Sequence, residues 1–195
     1  MHVPRGLFLI AFGMLVLLAC DSQEKKAREE PLLPAETFNW CIIPLTFQPP
    51  PATWERQKHN EGGLRGVWFT HSGSVGERIY VSEYYKVGER SLHARRRLPY
   101  TLDEVVKETR FSTAGWPFPP DSFVVEVMLP DTIAGMPAYR LDFTLNTPKQ
   151  SLVGREYYFL KKDHLFEASF LGLPVNMPLF DRVVETITFQ RPGDP

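Results

Sequence analysis

The side chains best equipped for chemistry are Cys20 and Cys41, the histidines His59, His71, His93 and His164, and the run Ser72-Gly73-Ser74-Val75-Gly76. Cys20 closes a long apolar run and follows a small residue, Ala19. A thiol there is a nucleophile for alkylation or acylation, because the thiolate is the reactive form. No histidine pairs with another His, Cys or carboxylate at ligand spacing, and the chain has no H-E-x-x-H and no C-x-x-C. A zinc site from Cys41, His59 and His71 is the chemical alternative; four turn histidines in solvent are the simpler expectation. Two cysteines cannot supply a four-thiolate site or a disulfide framework. The serine run lacks the first glycine of G-x-S-x-G and lies between two strand-like segments, so it reads as a hairpin loop. No phosphate-binding glycine loop is present. Asp142 beside Arg140, and Glu156 beside Arg155, read as ion pairing on a polar sheet face. No catalytic residue, no metal and no cofactor is therefore assigned.

Cys20 is placed by the segment before it. Residues 1–19 carry Arg5 and then an uncharged stretch from Gly6 to Ala19. That stretch is shorter than the roughly 20 apolar residues of a spanning helix and fits the apolar region of a signal peptide. Leu17-Leu18-Ala19-Cys20 resembles the bacterial lipobox, with Leu18 bulkier than usual. The resemblance implies cleavage between Ala19 and Cys20 and a diacylglyceryl thioether on Cys20, with a further acyl chain on its amine. One acyl chain holds weakly, whereas two or three anchor firmly, at about 0.8 kcal/mol per buried CH₂. The protein would then sit in a bacterial cell envelope, lipid-anchored to a membrane. Asp21 resembles an inner-membrane retention signal, which slightly favours that membrane.

Composition limits the rest. Lys and Arg number 22 against 23 Asp and Glu, which argues against a nucleic-acid partner. Eighteen prolines and a 13% aromatic content argue for a β-rich body with many turns. Residues 20–39 read as the lipidated N-terminus and a charged tether with Pro31 and Pro34. Residues 40–192 read as one domain. Cys41, the thiol left over, reads as a small buried hydrophobe, with an intermolecular disulfide as the alternative.

The body alternates with period two. Strands are expected at Cys41–Phe47, Thr53–Arg56, Leu64–Thr70, Arg78–Tyr85, Ser122–Leu129, Pro137–Asn146, Arg155–Leu160 and Leu165–Leu171. Within Ser122–Leu129, the expectation puts Phe123, Val125, Val127 and Leu129 on one face. Thr101 and Glu104 form a capping-box pattern at the head of a helix running to Arg110. A second helix follows Asn176, an expected N-cap, with Phe180, Val183, Val184 and Ile187 on one face. Short hairpins force antiparallel pairing. The expected class is α+β, an antiparallel β-sheet of about six to seven strands packed against helices.

The element order and the segment Ile133-Ala-Gly-Met-Pro-Ala-Tyr-Arg-Leu-Asp-Phe-Thr144 resemble the PsbP-like superfamily, which includes bacterial DcrB-type lipoproteins. The same is true of Tyr157-Tyr158-Phe159-Leu160 with its Lys-Lys-Asp turn, and of the closing Val184-Glu-Thr-Ile-Thr-Phe189. The resemblance implies an α/β/α-layered body that binds or supports other proteins and has no shared catalytic centre. Arg95, Arg96 and Arg97 form one basic cluster that could meet anionic headgroups or an acidic partner, although nearby Glu and Asp residues dilute it. The expected function is a membrane-tethered, non-catalytic lipoprotein that binds a protein partner. A small-ligand or lipid carrier with an apolar cleft is the alternative, and a hydrolase is the most remote one.

Overall fold

Alternating apolar and polar side chains build a sheet, and the short turns between them set its order. The computed structural model describes residues 30–39, 43–61, 64–72, 74, 76–84, 122–161 and 164–189. The elements are β1 (Glu36–Phe38), β2 (Leu45–Phe47), β3 (Trp54–Glu61), β4 (Leu64–His71), β5 (Arg78–Tyr84), β6 (Phe123–Ile133), β7 (Met136–Asn146), β8 (Ser151–Lys161) and β9 (His164–Gly172). A 3₁₀ turn, Pro174–Asn176, leads into helix α1, Met177–Glu185. Strands β3 to β9 form one sheet in the order β3-β4-β5-β9-β8-β7-β6, and β1 pairs with β2 in a small second sheet. Every pairing is antiparallel.

Both sheet faces bury apolar side chains. One carries Val67, Phe69, Ile79, Val81, Phe159, Phe166 and Phe170, and packs against α1 and the β1–β2 pair. Leu179, Phe180, Val183 and Val184 are the buried residues of α1. Each such side chain contributes on the order of 1.5–3 kcal/mol when fully buried, so the helix is held by packing more than by its nine residues of intrinsic propensity. The other sheet face gathers Phe123, Leu141, Phe143, Leu145, Leu152, Tyr158, Leu165 and Leu171. The expected antiparallel sheet is present, and α1 is the single α-helix among the described residues. The helix expected over Thr101–Arg110 lies outside them, as do residues 1–29, Cys41 and Arg95–Arg97.

Three expectations change. The body includes residues given above to the tether: β1 pairs with β2, Phe38 is buried in the core, and Arg182 donates a hydrogen bond to the Glu30 carbonyl at 2.8 Å. Thr37 and Phe38 favour extended backbone, and burial of the Phe38 ring fixes the short strand at the end of a charged run. Asn176 does not cap α1 with its side chain. Its amide instead donates to Glu77 Oε1 at 3.0 Å, and the Leu173 N–H donates to the same oxygen at 2.7 Å. The buried Glu77 thereby clamps the entry to α1.

The third change concerns β6. Its register against β7 shifts between Val125 and Val127. The extra residue of a β-bulge reverses which side chains face which way. Phe123 and Val125 pair with Leu145 and Phe143, and past the bulge Met128 pairs with Leu141, so these residues share the buried second face. Val127 and Leu129 pair with Asp142 and Arg140 instead. They stand on the opposite face with Val124, not in line with Phe123 as uninterrupted alternation predicts.

Candidate functional site

The strand pairings place one row of charged residues across β7 and β8 on the α1 side of the sheet. Arg140 lies opposite Tyr157, and Asp142 opposite Arg155. Residues directly opposite share a face and interact. Arg140 Nε donates to both Asp142 oxygens, at 3.0 and 3.1 Å. Arg155 Nε and Nη2 donate to the same carboxylate at 2.8 and 3.1 Å. Arg155 Nη1 then reaches α1 and donates to both oxygens of Asp181 at 2.7 Å. The guanidinium of Arg155 thus ties β7, β8 and α1 together, using the planar fork that lysine lacks.

Electrostatics keep these groups charged. Burial alone would raise the Asp142 carboxyl, but the hydrogen bonds from Arg140 and Arg155 outweigh it and hold the group below the usual carboxylate range. Burial likewise works against the charge on Arg155, and the hydrogen bonds to Asp142 and Asp181 override it, holding Arg155 above its ordinary value. The hydrogen bond to Asp142 raises Arg140. Burial, with the nearby Asp181 charge, pushes the Tyr157 phenol up, so it stays protonated. A carboxylate held below its normal range is a poor acid or base near neutrality. The row holds its charges in place.

Beside this row is a cavity of about 480 Å³, lined by Asp131, Thr132, Ile133, Ala134, Arg140, Arg155, Tyr157, Asp181, Val184 and Glu185. Its wall includes the β6–β7 turn, where Ala134 has φ 50° and Gly135 has φ 73°. Two consecutive positive values are the requirement of the tight hairpin turn; glycine meets it freely and alanine meets it with strain. Along β6, leading up to the cavity's Asp131, runs the stripe Val124, Val127 and Leu129, residues that are 47%, 37% and 49% exposed.

Other expected chemistry is redistributed. Glu156 does not share a face with Arg155. It points to the second face, where the Tyr158 hydroxyl donates to it at 2.8 Å. Alternation along β8 demands this, because neighbours in a strand point opposite ways. Arg78 belongs to the same buried group: burial lowers its guanidinium, and Glu167 and Glu156 counter that. The described histidines are not turn residues in solvent. His59 stacks on Trp68 with ring centroids 5.2 Å apart, His71 lies 3.4 Å from the Glu77 carboxylate, and His164 lies 2.5 Å from that of Glu83. Each sits in or at the end of a strand, where neighbouring strands and loops bring partners within reach. No cluster of three potential metal ligands occurs among the described residues. Ala19, Cys20 and Arg95–Arg97 lie outside the described residues. The stripe and the cavity's acids were missed in the sequence; Glu126, an acid interrupting Phe123–Met128, was the one signal of the bulge.

The arrangement of a seven-stranded antiparallel sheet with a C-terminal helix matches the solution structure of CyanoP, the cyanobacterial PsbP of Synechocystis sp. PCC 6803, at TM-score 0.55 and 12% identity. The match covers 82% of this chain and 94% of CyanoP. The fold is PsbP-like. LpqN, involved in cell envelope biogenesis of Mycobacterium tuberculosis, aligns at TM-score 0.45 and 12% identity, over 79% of this chain and 89% of LpqN. No protein-family model matches the chain, and no curated protein matches its sequence. Among the described residues no helix is long and apolar enough to cross a membrane.

Proposed function

We propose that this protein is a lipid-anchored, non-catalytic accessory protein of the bacterial cell envelope that binds a protein partner. The observation that carries the reading is the charge network of the PsbP-like body. At its cavity the guanidiniums of Arg140 and Arg155 are held by Asp142 and Asp181, in a geometry that fixes a surface. The lipobox-like Leu17-Leu18-Ala19-Cys20 supports the anchor. Because the body begins by Glu30, only Asp21–Glu29 separates a lipidated Cys20 from it. Nine fully extended residues reach at most about 30–32 Å. A partner would therefore lie in or close to the same membrane.

The carrier reading receives less support. The aromatic side chains that would line an apolar cleft pack into the core, as Phe38 does on Phe47 and Phe170 on Phe180. The cavity is lined largely by polar and charged groups.

Mass spectrometry of the protein purified from native membranes tests the anchor. A mature chain starting at Cys20 and carrying acyl chains is expected, with Cys20→Ser accumulating as precursor or leaving the membrane fraction. An unmodified Cys20 on a membrane-retained chain would contradict it.

A further inference from the structure

The geometry points to the β6 stripe and the adjoining cavity as the docking surface for a partner segment that presents a basic side chain beside apolar ones. This inference rests on the protein-binding reading above and names the chemistry of the partner.

Register puts the stripe and the cavity on one continuous surface. Val124 lies opposite Thr144, Val127 opposite Asp142, Leu129 opposite Arg140 and Asp131 opposite Ala138. The stripe therefore shares a sheet face with Arg140, which lines the cavity, and leads along β6 to Asp131 in the cavity wall. Three large apolar side chains exposed in a row on one strand are uncommon on a solvated surface, and such rows mark interaction sites.

Charge selects the occupant. Arg140 and Arg155 are held by Asp142 and Asp181. Among the described residues Asp131 accepts from its neighbouring backbone, the Thr132 N–H at 2.6 Å, and Glu185 is exposed on α1. Glu126, at the bulge, accepts from the Thr144 hydroxyl. Along the stripe and in the adjoining cavity, five carboxylates (Glu126, Asp131, Asp142, Asp181 and Glu185) thus stand against the two guanidiniums of Arg140 and Arg155. An anionic headgroup would be repelled, whereas a lysine or arginine would be drawn in and its apolar neighbours would cover the stripe. Backbone pairing along the outer edge of β6 is interrupted by the bulge and by Pro130, so recognition runs through side chains.

Fluorescence anisotropy on the full-length protein in detergent micelles tests this, using short peptides alternating valine with lysine and matched peptides alternating valine with glutamate. The lysine peptides should bind, and binding should weaken with added salt; the glutamate peptides should not bind. Asp131→Asn with Glu185→Gln, and separately Leu129→Ser, should each weaken binding about fivefold or more with melting temperature unchanged. Lys58→Ala on β3 should leave it unaltered. Equal binding of both peptide types, no binding of either, or full affinity in the variants would overturn the proposal. So would a dimer closed through Leu129 that excludes the peptide, or a preference for phosphatidylglycerol vesicles over the peptide. Peptide binding does not depend on the lipid on Cys20, so its failure is separable from failure of the anchor.

Discussion

The two edges of the main sheet are protected in opposite ways. At one end β3 reads Trp54-Glu-Arg-Gln-Lys-His-Asn-Glu61, and its side chains from Glu55 to Lys58 are exposed and polar. Arg56 there pairs with Glu36 of β1 and lies over the Phe38 ring at 4.8 Å. Charge on an edge strand discourages a second sheet from joining it. At the other end β6 keeps exposed Val124, Val127 and Leu129 and relies on a bulge and Pro130 to interrupt its edge. The charged β3 edge discourages strand addition. The β6 edge blocks backbone pairing and leaves an apolar surface available, which suits selective contact.

The largest effect is expected at the charge network beside β6. Arg155→Ala would leave Asp142 without one guanidinium and Asp181 without the nitrogen that donates to both its oxygens. Because Asp181 is partly exposed, the loss should be about 2–3 kcal/mol in denaturant unfolding, below that of a fully buried pair. Lys58→Ala on the opposite edge should stay within about 0.5 kcal/mol. A smaller loss from Arg155→Ala would mean that the β6 side does not depend on the network.

Gly154→Ala on β8 comes next. A Cβ there would run into the Phe143 ring, which lies over the glycine. Overpacking of about 1–3 kcal/mol is expected, read as a lower denaturation midpoint. An unchanged midpoint would show that the ring moves aside freely.

Acid should act on the same half of the molecule. The folded-state value of Asp142 lies below its ordinary 3.8. On lowering the pH the unfolded chain takes up the proton first. The contribution of Asp142 is thus full above about pH 5 and is lost as the pH falls through the folded value. The stability of Asp142→Asn should therefore fall less steeply with acid than that of the wild type between roughly pH 5 and pH 2. Parallel curves would show that Asp142 contributes no acid-dependent stability.

The smallest effect sharpens the turn beside the cavity. Ala134→Asn puts a residue tolerant of positive φ ahead of Gly135 and should stabilise by about 0.5 kcal/mol. A loss of stability would mean that the Ala134 methyl packs against something the turn needs.

Much of this architecture was legible in the residues. The paired runs around Lys161–His164 and the alternation of Tyr139, Leu141, Phe143 and Leu145 identify β7, β8 and β9 well, because a half-buried strand needs that period. The amphipathic set Phe180, Val183 and Val184 likewise marks α1. The edge of β6 was not legible. An inserted residue reverses every side chain beyond it, and period-two reading has no sign for a bulge except the misplaced Glu126. The partnership of Arg155 with Asp181 was hidden for a different reason. It joins a strand to a helix 26 residues later, and no local pattern encodes such a contact. Asp142 with Arg140 was legible because the two lie on one strand two residues apart.

Photo-crosslinking in living cells compares the two edges directly, with a photoreactive amino acid placed at Leu129 in one strain and at Lys58 in another. A discrete envelope-protein adduct is expected at position 129, lost when Asp131→Asn and Glu185→Gln are added, with none at position 58. Equal adducts at both positions, or an adduct at 129 indifferent to the two carboxylates, would contradict docking at β6.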